Sequence, residues 1–390
     1  MNLGRLRLLP YAGRLALLGV ETTGASMIRA LLRGRAELET PCAPVVLMHG
    51  FAGFRELGVG GYALIEYFNG VRRFLGQIGY RVFAPEVAPF NPPLERAREW
   101  LRYIEAIRVE TRAEKVHLIG HSQGGLDARV LVAPACPPED TPIGPLFGLG
   151  YGPHVASLTT ISTPHLGSAL ADEVEQEEPA HQGAVDALLA LVGLVATLVR
   201  CDPQDARRAV VALSRSYVLE YFNPIIADDP GVPCHAIAGD PGSELVGPLL
   251  RPTFEALNDI DPAEGGGPND GLVTVKSALF GNVPEERGKR KTGAAPVAPR
   301  RRHWKTLGSV QADHITQVGI PLQLPHRAAY DHLALFAGLA QRVDPSYTAA
   351  LALQRDGRWR RTRRKNTSSG RRGRSPASGE RVRGASSSRA

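Results

Sequence analysis

From residue 44 onward, short runs of consecutive apolar residues alternate with longer stretches in which apolar residues recur every three or four positions. Val45-Val46-Leu47-Met48, Tyr80-Arg81-Val82-Phe83, Val116-His117-Leu118-Ile119, Val155 to Ile161 and Val232 to Ala238 read as buried strands. Val71, Phe74, Leu75 and Ile78 keep helical spacing, as do Ala97, Leu101, Ile104 and Ile107 within residues 94–112. A further helix-like span covers Ala328 to Val343. Strands alternating with helices predict an α/β fold, a mostly parallel sheet with helices on both faces.

One segment breaks the amphipathic pattern. Ala187 to Val199 is apolar almost all round and is bounded by Asp186 and Arg200. It is too short to span a bilayer. A helix without a polar face must be buried or must meet lipid. The expectation is therefore either a buried helix or a helical lid inserted over an apolar site. Pro/Gly-rich residues 133–153 and the stretch 284–306, with Arg287, Lys289, Arg290, Lys291 and Arg300 to Arg302, read as surface insertions.

Composition sharpens the ends of the chain. With 390 residues and 43% hydrophobic content, there is enough material for one large domain with decorations, or for two. The net charge of +7 is not spread evenly. Residues 355–390 hold 13 Lys and Arg against Asp356 and Glu380, a net of +11, which leaves a mildly acidic body of −4. That tail is rich in Ser, Gly and Arg and predicts disorder. Its charge would favour anionic lipid, or nucleic acid without specificity. The reading is thus residues 1–43 as a basic, apolar N-terminal segment, 44–343 as the folded domain with a lid at about 175–225, and 344–390 as a basic tail.

Arg14 interrupts the one candidate hydrophobic stretch of a secretory signal, and no run approaches transmembrane length. The N-terminal segment reads as an ordinary helix or as a basic amphipathic piece resting on a membrane surface. The compartment stays open: soluble, membrane-peripheral or exported. Cys42, Cys136, Cys201 and Cys234 lie far apart without C-x-x-C spacing, which argues against zinc and leaves the redox state undecided.

The chemistry centres on Gly120-His121-Ser122-Gln123-Gly124-Gly125. An apolar strand precedes it and a helix-like segment follows, the context of a nucleophile elbow that holds a serine hydroxyl at the apex of a tight turn. Glycines on either side of the serine suit a turn that bulky side chains would crowd. Serine is a poor nucleophile without a base, and the base needs an orienting carboxylate. With the chain order Ser, acid, His, the late histidines His303, His314, His326 and His332 are candidates for the base. Asp270, at a loop tip in Asn269-Asp270-Gly271, and Asp240, just after a strand, are the candidate acids. Spacing alone does not choose among them. The residue after the serine, Gln123, supplies one backbone N–H of an oxyanion hole, and the loop after the first strand supplies the other.

Four blocks in order, His49-Gly50-Phe51-Ala52-Gly53, the elbow, Thr160-Ile161-Ser162-Thr163-Pro164-His165-Leu166-Gly167-Ser168 and Asn269-Asp270-Gly271-Leu272-Val273, resemble the bacterial triacylglycerol lipases of the Pseudomonas and Burkholderia type. The likeness runs from about residue 44 to 343. It implies an α/β-hydrolase fold, with Ser122 as nucleophile, Asp270 as acid, His314 as base and Phe51 as the second oxyanion donor. It matches His332 to a non-catalytic histidine. Lipid esters at an interface are the implied substrates, whereas an acyltransferase or short-chain esterase would share the same triad. A non-catalytic scaffold binding membranes or anionic polymers through its basic ends is the competing reading.

The chain departs from this family at its calcium site. Thr316 stands where the family has an aspartate two residues after the catalytic histidine, and Arg251 is the best match to the second aspartate. Calcium requires several oxygen ligands, so no metal and no other cofactor is expected. Asp259 and Asp261 are the alternative ligands. The oligomeric state is not legible.

Overall fold

Val45–Met48 form strand β1 because four consecutive apolar side chains suit a position covered on both faces, and all four are buried. The computed structural model describes residues 43–344, except 60–61, 136–146, 175, 177–178, 200–202, 282–302 and 321–329. The N-terminal segment, the basic tail, His326, Cys42, Cys136 and Cys201 lie outside the described residues.

Two antiparallel strands, β2 (Glu56–Val59) and β3 (Tyr62–Glu66), follow β1 and form a separate hairpin. Helix α1 (Val71–Gln77) leads to the short strand β4 (Val82–Phe83), and α2 (Pro93–Thr111) leads to β5 (Val116–His121). Then come α3 (Gln123–Val132), β6 (Val155–Ile161), α4 (Ala169–Val174), α5 (Gln182–Val199) and α6 (Pro203–Val211). Strand β7 (Cys234–Gly239), α7 (Arg251–Asp259), β8 (Trp304–Val310) and α8 (His332–Val343) complete the fold.

The main sheet has six strands in the order β4-β1-β5-β6-β7-β8, all pairings parallel. The chain first steps outward from β1 to β4, then returns across β1 to β5 and continues the other way. Right-handed crossovers in opposite directions place helices on opposite faces. Accordingly α1 packs with α8, and α2 with α3. The reversal lies between β1 and β5, so the loops leaving their carboxyl ends diverge and open a crevice there.

Helix α2 presents Ala97, Trp100, Ile104 and Ile107 to the core at spacings of three and four, while Leu101 sits at the flank. Burying each such large side chain stabilises by roughly 1.5–3 kcal/mol. A second apolar cluster joins α4, α5, α6 and α7. Within it α5 buries Ala184, Val185, Leu188, Val192 and Ala196, but Leu194 is 56% exposed. The apolar segment is therefore one-sided in its burial rather than buried all round. No helix among the described residues is long and apolar enough to cross a membrane.

Two expectations need correction, and one element was missed. The strand read from Val232 starts at Cys234, because Pro233 has no N–H to give a ladder. The last residues of the presumed insertion 284–306 belong to β8, a half-exposed strand at the end of the sheet whose pattern lacks a continuous apolar run. The β2–β3 hairpin was not anticipated, since Glu56 and Gly58 interrupt its alternation.

Candidate active site

The elbow has the geometry its sequence requires. Ser122 sits between β5 and α3 with φ 54° and ψ −131°, an unfavourable conformation for a non-glycine residue. It is held there by its own backbone. Its N–H donates to Ile161 O at 2.9 Å, and its carbonyl accepts from Gly125 N (3.1 Å) and Thr163 Oγ1 (2.8 Å). A Cβ at Gly124 would collide with the Met48 and His49 carbonyls, so the helix could not approach β1 so closely with any other residue.

The loop after β1 reaches the same place. A Cβ at Gly50 would lie 2.6 Å from the Ser122 Cβ. On either side of Phe51 the loop is pinned: Gly50 N donates to Tyr67 Oη at 3.0 Å and Ala52 N to Pro89 O at 2.9 Å. Beneath it lies an ion pair with no exposed side-chain surface, Arg96 Nε to Asp127 Oδ2 at 2.8 Å. The same guanidinium donates to His49 O at 2.6 Å and Ala88 O at 3.0 Å. Burial pushes the Asp127 carboxyl up to about 6 despite Arg96. Burial, reinforced by the Arg96 charge, takes His49 down to about 3 and keeps it neutral.

The late loops bring one acid and one imidazole together. His314 Nδ1 donates to Asp270 Oδ2 at 2.8 Å, and His314 N donates to Asp270 O at 2.9 Å. Asp270 is fully buried and His314 is 4% exposed. Burial by itself would raise the Asp270 pKa, but the charge and hydrogen bond of His314, with the Val273 amide, hold it below the usual value. Asp270 Oδ1 also accepts from Leu272 N (3.1 Å) and Val273 N (2.8 Å).

The competing residues are engaged elsewhere. His303 Nε2 pairs with Asp228 at 3.0 Å, and His332 Nε2 bonds to Asn69 O at 2.7 Å. Asp240 follows β7 directly, its backbone N–H donating to Val310 O, and it is the Asp270 carboxylate that meets His314. His121 stands beside the serine, its ring centroid 4.6 Å from that of His314. Its Nδ1 accepts from Tyr67 Oη at 2.8 Å, and burial followed by the His314 charge holds it well below the ordinary histidine value.

Ser122, His121, His314 and Phe51 all line one cavity of about 440 Å³. Its remaining wall is largely aliphatic, with Leu170, Leu188, Leu191, Val192, Val195 and Val210 drawn from α4, α5 and α6. A hydroxyl and an imidazole lining an apolar cavity, with a buried carboxylate behind the imidazole, can carry acyl transfer on a substrate with a hydrophobic tail.

At the positions matched to the family's calcium ligands, Arg251 Nη2 donates to Val246 O at 3.3 Å. Asp313 is committed to backbone amides, accepting from Gly247 N (2.8 Å) and Thr316 N (2.9 Å). Asp261 accepts from Ala263 N at 2.7 Å. Among the described residues no group of three or more His, Cys, Asp and Glu side chains could hold a metal ion.

Sequence reasoning did not single out Tyr67, Arg96, Asp127, Ser162 or Gln317. One signal was available for the ion pair: Arg96 adjoins Ala97 on the apolar face of α2, and Asp127 lies in the helix that leaves the elbow. Ser162 lies within one of the blocks that resemble the lipases but nothing in it indicates a partner, and Gln317 carries no signal, since the two come from distant loops.

No family model matches the chain. It is similar to a triacylglycerol lipase of Vibrio cholerae, 32% identical over 258 residues that span 62% of this chain and 75% of the relative. Triacylglycerol lipases of Burkholderia plantarii and Pseudarthrobacter phenanthrenivorans are each 29% identical over 288 residues, spanning 62% of this chain and 75% and 84% of theirs. Among solved structures, the Staphylococcus hyicus lipase superposes with TM-score 0.54 at 18% identity, covering 80% of this chain and 99% of its own. Lipase 1 of Pelosinus fermentans gives 0.53 at 19% identity, covering 77% and 98%. These structures share the α/β-hydrolase fold with this chain.

Proposed function

The chain belongs to the family of bacterial triacylglycerol lipases, and we propose that it hydrolyses lipid esters through an acyl-enzyme formed on Ser122, with His314 as base and Asp270 as acid. The observation that carries this reading is the His314 Nδ1 to Asp270 Oδ2 bond of 2.8 Å at the same cavity onto which Ser122 opens.

With Nδ1–H committed to Asp270, the lone pair of His314 lies on Nε2, the tautomer needed to accept a proton from Ser122. Ser122 Oγ adds to the ester carbonyl carbon while its proton passes to His314 Nε2. The backbone N–H groups of Phe51 and Gln123 receive the oxyanion, each such donor lowering the barrier by about 3–4 kcal/mol. The imidazolium returns its proton to the leaving alcohol. Water, deprotonated by the same nitrogen, then releases the fatty acid and restores Ser122.

The aliphatic wall of the cavity accommodates the acyl chain, and α5 is the element that covers it. The exposed Leu194 on α5 offers that helix a contact with a lipid surface. The calcium ion implied by the family does not fit this chain. A guanidinium at Arg251 and a hydroxyl at Thr316 replace two carboxylates, and Asp313 is occupied by amide donors. The non-catalytic scaffold has nothing in its favour beside relatives named as enzymes.

The test is hydrolysis of p-nitrophenyl esters of graded acyl length by the wild type and Ser122→Ala. Turnover that vanishes in the variant supports the proposal, and turnover that survives refutes the nucleophile.

A further inference from the structure

Asp270 is oriented by more than its histidine. Its Oδ1 is fixed by the amides of its own turn, but Oδ2 carries two donors, His314 Nδ1 at 2.8 Å and Gln317 Nε2 at 3.1 Å. Gln317 lies three residues beyond His314 in the same loop and is fully buried, as is Ser162. Solvent therefore cannot replace either partner.

The amide of Gln317 can face only one way. Ser162 Oγ accepts from Gly239 N at 3.0 Å, so its own proton is free to go to Gln317 Oε1 at 2.8 Å. The two hydrogens on Nε2 then meet Asp270 Oδ2 and, at 3.2 Å, Ala312 O. A reversed amide would set its oxygen against two acceptors. Ser162 itself has φ 47°, a conformation costly to residues other than glycine. A strained, buried serine whose hydroxyl joins the network points to a role for that hydroxyl.

We propose that Gln317, locked by Ser162, is a positioning residue that fixes the Asp270 oxygen facing His314 and so fixes the tautomer of the base. This rests on the triad reading above. A neutral donor suits the task. It holds the carboxylate in place without competing with the imidazolium for its charge, as an arginine or lysine would. The titratable and charged groups around Gln317 are Asp270, His314 and, behind the latter, His121, with Asp313 held apart by Gly247 and Thr316.

The experiment measures kcat and KM against pH for the full chain and for Gln317→Leu, Gln317→Glu and Ser162→Gly, beside thermal unfolding. Gln317→Leu is expected to lower kcat by roughly 10- to 100-fold with little change in KM, the cost of a slightly misplaced catalytic group. Gln317→Glu sets a second buried carboxyl against Asp270 Oδ2, where it is held protonated and donates in place of the amide, so it is expected to recover much of the kcat that Gln317→Leu loses. Ser162→Gly relieves the backbone strain but leaves Gly239 N and Gln317 Oε1 without their partner, so it unfolds somewhat earlier than the wild type and loses kcat at temperatures where it is still fully folded. If Gln317→Leu fails to fold, Ser162→Gly decides. Wild-type kcat in Ser162→Gly, or a Gln317→Glu no more active than Gln317→Leu, overturns the inference. Ser122→Ala tests the underlying reading separately: activity surviving there breaks the triad itself, whatever the Gln317 variants do.

Discussion

Arg96 donates to the carbonyl of His49 at 2.6 Å, which ties a helix of the sheet's flank to the loop that precedes Phe51. The same guanidinium forms an ion pair with Asp127, in the helix that begins at the elbow, so one buried cation links both sides of the proposed oxyanion hole. Arg96→Ala leaves Asp127 buried and unpaired, and breaking such a pair costs about 3–5 kcal/mol. The double variant Arg96→Met/Asp127→Leu removes both charges and is expected to recover most of that stability. Its kcat stays low, because the His49 carbonyl has lost its anchor. Denaturant midpoints and kcat for the three proteins check this; full activity in the double variant would separate the ion pair from the hole.

Asp270→Asn keeps the shape of the acid but offers an amide hydrogen where His314 needs an acceptor. The imidazole then turns to the wrong tautomer. A loss of about 10⁴-fold in kcat is expected with KM little changed. A loss below tenfold would point to another carboxylate as partner of the base.

Acid should destabilise the fold already between pH 7 and pH 5, through buried histidines. The pKa of His49 in the folded chain is about 3, far below the ordinary histidine value of about 6.5, and that of His121 is also depressed. Between those limits the unfolded chain binds protons that the folded chain refuses. The stability is therefore fully present above about pH 6.5 and is lost as pH falls. One such histidine loses about 2 kcal/mol between pH 7 and pH 5. Asp127, raised to about 6, acts in the opposite sense, gaining stability as pH falls towards its unfolded value. It offsets one histidine only. The urea midpoint should drop from pH 7 to pH 5, and His49→Gln should flatten the slope. A midpoint that holds steady or rises would contradict these pKa directions.

Filling the cavity should shorten the preferred ester. Val192→Phe or Leu188→Trp places a ring among the aliphatic groups that line it. Each methylene no longer accommodated forfeits about 0.8 kcal/mol, roughly a fourfold loss in kcat/KM for the long ester. The ratio of long- to short-chain kcat/KM is the measurement. An unchanged ratio would place the acyl group elsewhere.

Chelation should do nothing. With Thr316 and Arg251 at the expected ligand positions, EDTA is expected to leave both Tm and activity unaltered, and added calcium to restore nothing. A calcium-dependent rise in Tm would identify a ligand set that these residues do not suggest.

Local sequence determined the parts of this protein whose physics is local. Four apolar residues in a row made β1 a central strand, and Gly-His-Ser-Gln-Gly after an apolar run made Ser122 an elbow, because strand burial and turn sterics act over a few residues. The likeness of four ordered blocks to a lipase family indicated which acid and histidine to watch. Spacing did not, since Asp270 and His314 are 44 residues apart and meet only through the loops beyond β7 and β8. Those loops, the edge strand β8 and the β2–β3 hairpin depend on pairing between distant segments, for which the local pattern carries little information. Tertiary structure alone decided that His303 belongs to Asp228, that Arg96 supports His49, and that Ser162 orients Gln317. A buried polar side chain must find its partner wherever the fold brings one, and sequence distance does not constrain where that is.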